Sequence, residues 1–184
     1  MIIRNLILTS VLILAVIVAP ASFATEGDSH NHSSHSYDEG GTAFQGMVKD
    51  YLFIQAALAG DTTEGVAIRA SSIEKASLDL SKTFDPMMAG IEGKKSGDLK
   101  KILPELRQAA AGLARAENIE EARISFGKLS DSMIAYRELA TGEKPQVAYC
   151  PMAKKSWMQN GKSITNPYYG SSMLRCGSFV ANNP

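Results

Sequence analysis

The chain has 184 residues, with 19 basic and 19 acidic side chains and a formal net charge of zero. That balance excludes a nucleic-acid binder working by electrostatics. With only two cysteines, a disulfide-built scaffold is excluded too, so one domain-sized hydrophobic core must carry the fold.

In chain order, Met1-Ile2-Ile3-Arg4-Asn5 precedes an apolar run from Leu6 to Ala19, then Pro20 and the small residues around Ala24. This is the pattern of a secretory signal peptide over residues 1–24. The run is short for a spanning helix, which needs about 20 apolar residues. No stable membrane span is expected after cleavage, and the expected compartment is periplasmic or secreted, where disulfides are permitted. Residues 25–42 are rich in Ser, Asp, Glu, Gly and His and poor in apolar residues, as in a disordered leader. All three histidines lie here, His30, His32 and His35. They are a weak, secondary metal-binding signal or a solvated tail.

Residues 43–141 are helical in pattern. Phe44, Met47, Tyr51, Ile54 and Leu58 make one stripe of a helix over 43–59, ended by Gly60. Asp61 and Glu64 have capping-box spacing for a second helix, 62–85. A third is expected over 99–117, with Pro104 as its start or its kink. Asn118 and Glu121 cap a fourth, 119–141, striped by Ala122, Phe126, Leu129, Met133 and Tyr136. No strand-period alternation of any length stands out. The expected fold is all-α, an antiparallel up-and-down four-helix bundle with an irregular C-terminal lobe over 144–180. Met87-Met88 reads as a gap-filling pair, and Arg123, Arg137 and Glu138 read as solvated faces or surface pairs. Without histidine on any helix, neither a carboxylate di-iron site nor a Ser-His-Asp or Cys-His nucleophile can be built, and no enzyme is expected.

The lobe is dense in Pro, Gly, Asn, Ser and Tyr and holds the sole tryptophan, Trp157. Both cysteines are here, each near a methionine: Cys150-Pro151-Met152 and Met173-Leu174-Arg175-Cys176. Two thiolates and two thioethers form a metal set suited to Cu(I) or Ag(I) rather than Mg(II) or Ca(II). The alternative is a Cys150–Cys176 disulfide, worth roughly 3 kcal/mol on the chain-entropy model. Composition leaves both open.

The strings Tyr149-Cys150-Pro151-Met152-Ala153, Trp157-Met158-Gln159, Ile164-Thr165-Asn166-Pro167-Tyr168-Tyr169-Gly170 and Met173-Leu174-Arg175-Cys176-Gly177, with Phe126-Gly127-Lys128-Leu129-Ser130, resemble one bacterial envelope domain family of unknown function. Its members occur alone or fused to periplasmic adaptor subunits of copper/silver efflux pumps. The resemblance implies a helical domain with a Cys/Met-bearing end, a role in soft-metal handling, and a pump adaptor as partner. The competing expectation is a non-catalytic docking module of the envelope, stapled by its cysteines.

Overall fold

The computed structural model describes residues 41–180. The signal peptide and His30, His32 and His35 lie outside the described residues. Four long helices, α1 (Ala43–Ala59), α2 (Val66–Lys82), α4 (Ser96–Ala114) and α5 (Ile119–Leu139), and one short helix, α3 (Pro86–Ala89), come first. Strands β1 (Gln146–Cys150), β2 (Lys155–Gln159) and β3 (Ser178–Phe179) follow. Helix α2 packs on α1 and α4, and α4 packs on α5. The buried stripe of α1, Phe44, Met47, Tyr51, Ile54 and Leu58, meets Ile73 of α2, Leu103 and Leu106 of α4, and Phe126, Met133 and Tyr136 of α5 in one core.

Local chemistry sets the helix ends. Thr42 and Gln45 form a reciprocal capping box at α1, and Asn118 Oδ1 accepts from the Glu121 N–H at α5. The capping box expected from Asp61 and Glu64 is absent. Helix α2 starts after Gly65, which is left-handed and offers no side-chain cap. The Asp61 carboxylate is engaged elsewhere, as described below. Pro104 lies inside α4, which begins eight residues earlier at Ser96.

The all-α expectation is corrected by the lobe, which contains a three-stranded antiparallel sheet in the order β2-β1-β3. Val147 lies opposite Met158 and Ala148 opposite Trp157, while Tyr149 lies opposite Ser178. Two features hide these strands in the sequence. They are at most five residues long. Covering elements bury Trp157, Met158 and Gln159 in succession, which removes the period-2 signal of a half-exposed strand.

The sheet is tied to the bundle through buried polar contacts. The Met158 N–H donates to the Tyr51 hydroxyl at 3.1 Å, and that hydroxyl lies 2.7 Å from Ser130 Oγ. Burial pushes the Tyr51 phenol well above its ordinary range, so it stays neutral. Phe126 stacks on Tyr51 and touches Tyr168, and Trp157 meets Tyr168 edge-on. Among the described residues, every buried side-chain polar atom has a hydrogen-bond partner, and no helix is long and apolar enough to cross a membrane.

Candidate functional site

Cys150 ends β1 and is fully buried. The four-residue turn Pro151–Lys154 follows, with Lys154 left-handed at φ 52°. The turn aims the Ala153 N–H back at Cys150 Sγ, at 3.4 Å. Cys176 arrives from the other side, after the 3-10 turn Gly170–Met173 and just before β3. Gly177 makes this approach possible. Its φ is 137°, and a Cβ there would sit 2.8 Å from the Trp157 ring and 2.9 Å from the Tyr149 carbonyl.

The two sulfurs stand 3.1 Å apart, and both cysteines are free thiols. They lie 26 residues apart in sequence. Burial raises the Cys150 pKa, but hydrogen bonds from the Ala153 N–H, the Cys176 thiol, the Asn166 side chain and the Met152 N–H outweigh it, and the net shift is downward. Cys176 moves the other way, because donating to Cys150 and partial burial both hold its proton. Of the two, Cys150 is the thiol that ionises more readily.

The predicted ligands are not all gathered. Cys150 and Cys176 touch. The Met152 side chain is 62% exposed on the hairpin turn, although its backbone N–H faces both sulfurs. Met173 is half-buried at the end of the 3-10 turn, and its carbonyl accepts from the Cys176 N–H at 2.9 Å. Among the described residues, no cluster of three or more His, Cys, Asp and Glu groups has metal-site geometry. A soft ion at the pair would thus take its further ligands from thioethers or from a partner. With metal–sulfur bonds of about 2.3 Å, sulfurs 3.1 Å apart subtend about 85° at one ion, and a tetrahedral angle needs them about 0.7 Å further apart. That opening would fall to Cys176, which is half-buried between a turn and a two-residue strand, since Cys150 is fully buried. Two thiol sulfurs are donors of the type that a soft ion prefers.

Several residues that hold the lobe escaped the sequence reading. Arg123 is not a solvated side chain. It is 16% exposed and donates to the Leu58 and Pro167 carbonyls and to Asp61. Asp61 also accepts from the Ser171 N–H at 2.9 Å. The Ser171 hydrogen bonds and then Arg123 hold the Asp61 carboxyl at about 2. Arg137 is 7% exposed and donates to the Pro145 carbonyl, fixing the entry to β1. Met87 and Met88 fill no gap, being 82% and 51% exposed. The stripe of one helix cannot reveal these roles, because the partner carbonyls lie in other segments: Leu58 at the end of α1, and Pro167 and Pro145 outside any helix or strand.

A family model described as a protein of unknown function, DUF3347, matches residues 47–144, more than half of the chain. The chain belongs to the DUF3347 family. The matched DUF3347 stretch is the helical bundle, and the cysteine-bearing sheet begins just beyond it. No curated protein and no solved structure matches the chain.

Proposed function

We propose that the protein is a soft-metal binder of the cell envelope, in which the Cys150 and Cys176 thiolates capture Cu(I) or Ag(I). The observation that carries this reading is the 3.1 Å approach of the only two cysteine sulfurs in the chain. The donors around Cys150 favour its thiolate, the form that binds metal. Met152 and Met173 lie close in sequence to the pair, and their thioethers would turn towards a bound ion as supplementary ligands. The apolar amino terminus supports an envelope location, and a pump adaptor receiving the ion is the partner that fits accessory service to metal export.

The test is titration of the reduced protein with Cu(I) against a competing chelator. The reading expects one equivalent bound per chain, and binding lost in the Cys150→Ser, Cys176→Ser double variant. Equal binding by that variant would end it.

The same 3.1 Å distance favours a second reading, a disulfide staple in a docking module. Bond formation needs the sulfurs to close by about 1 Å. Thiol counting on protein taken from its own compartment separates the two readings, since a fully oxidised, metal-free pair supports the staple.

A further inference from the structure

Asn166 is fully buried, and its polar groups join the segment that carries Cys176 to the turn before it, while its side chain also hydrogen-bonds Cys150. Its N–H donates to the Leu174 carbonyl at 2.8 Å, and its Nδ2 donates to the Cys176 carbonyl at 2.8 Å. Its Oδ1 accepts from the Tyr168 N–H at 2.8 Å, and its carbonyl accepts from the Gly170 N–H at 3.1 Å. Tyr168 is in turn fixed by donating its hydroxyl to the Ser156 carbonyl on β2, at 2.6 Å. Apart from Asn166 and the contacts at its sulfur, Cys176 is held by the local turn contact to the Met173 carbonyl and the short strand that follows.

Asn166 is thus the brace between the sheet and the arm Leu174–Cys176. We infer that Asn166 is a positioning residue that holds the Cys176 sulfur beside Cys150, an inference that rests on reading the pair as the working site. Hydrogen bonds in a buried, fully satisfied network are costly to lose singly, because the partner left behind has no water to turn to.

Closure of the pair by oxidised glutathione measures this placement without any metal. In the first step one cysteine thiolate attacks a glutathione sulfur, and one glutathione thiolate leaves. In the second, the other cysteine attacks the mixed disulfide and expels the second glutathione. Two protein thiols are oxidised and one glutathione disulfide is reduced to two glutathiones. The second step is the one that needs the two sulfurs to meet, so the build-up of the mixed disulfide reads their placement.

The variant is Asn166→Asp. It keeps the shape and the acceptor for Tyr168 but loses the donor to the Cys176 carbonyl and the hydrogen bond to Cys150. Acid-quenched samples of the full chain are followed by intact mass. The mixed disulfide is expected to accumulate because its closure slows by about 5-fold or more. Ser130→Ala, which removes a buried hydrogen bond of the bundle, is expected to show no such accumulation. Absence of accumulation in Asn166→Asp, or equal accumulation in Ser130→Ala, overturns the inference. Should Asn166→Asp fail to fold by circular dichroism, Asn166→Ser, whose shorter side chain removes the Nδ2 bond to the Cys176 carbonyl without adding charge, gives the same two readings. Failure of the wild type to bind Cu(I) would instead end the soft-metal reading and leave this partition measurable.

Discussion

The Tyr51→Phe substitution probes the joint between lobe and bundle with a single atom. Tyr51 is fully buried, and its hydroxyl meets the Met158 N–H and the Ser130 hydroxyl at 3.1 and 2.7 Å. Met158 lies on β2, an edge strand of the sheet, and Tyr51 is the partner that satisfies its amide. Removing the hydroxyl leaves that amide buried and unpaired, at about 1–3 kcal/mol. Ser130 has an escape, since a helical serine can turn its hydroxyl to the carbonyl four residues back. The expected net loss is therefore about 2 kcal/mol, lowering the Tm by about 6 °C for a domain of this size. Urea and thermal unfolding, followed by far-ultraviolet circular dichroism for the helices and by Trp157 fluorescence for the lobe, measure it. The two probes should give coincident transitions, shifted together. A loss below about 0.5 kcal/mol, or strict additivity with Ser130→Ala in a double-mutant cycle, would refute the reasoning.

Gly170→Ala places a Cβ 1.8 Å from Asp61 Oδ1 at a φ of 55°, so backbone strain of about 1–2 kcal/mol is compounded by a broken clasp. A lowered Tm with a redder Trp157 emission is expected. The Asp61 carboxyl has a lowered pKa, so its contribution is present above the ordinary value of 3.8 and is lost as pH falls towards about 2. Stability should not change through this group between pH 7 and 5, and Asp61→Asn should flatten the acid limb of the stability curve. Met152→Leu and Met173→Leu should each weaken Cu(I) binding by less than Cys150→Ser does, as measured by chelator competition. Ala at Gly177 would meet both the Trp157 ring and the Tyr149 carbonyl. Gly177→Ala should therefore slow disulfide closure of the pair, as read by thiol alkylation.

The bundle is legible because its information is periodic. The residues spaced at three and four along α1 and α5 are the ones that lie buried, and Asn118 with Glu121 marks a helix start by local chemistry alone. Asp61 shows where local reading fails. Its spacing to Glu64 imitates a cap, but a long-range ion pair with Arg123 and the Ser171 amide takes the carboxylate. The sheet is missed for a related reason: β2 is buried at three successive residues, and β1 alternates over only five residues, too short a run to stand out. The cysteine pair could be singled out from sequence because soft ligands are rare. Its brace could not, since Asn166 looks like any turn former before Pro167, and its importance lies in contacts ten residues away.

The central claim, that two thiolates at the end of the lobe take a soft ion, is met most directly by X-ray absorption at the copper edge on the Cu(I)-loaded protein. A first shell of sulfur only, at one copper per chain and lost in Cys150→Ser, is the predicted result. A shell of nitrogen or oxygen, or one that persists unchanged without Cys150, would contradict it.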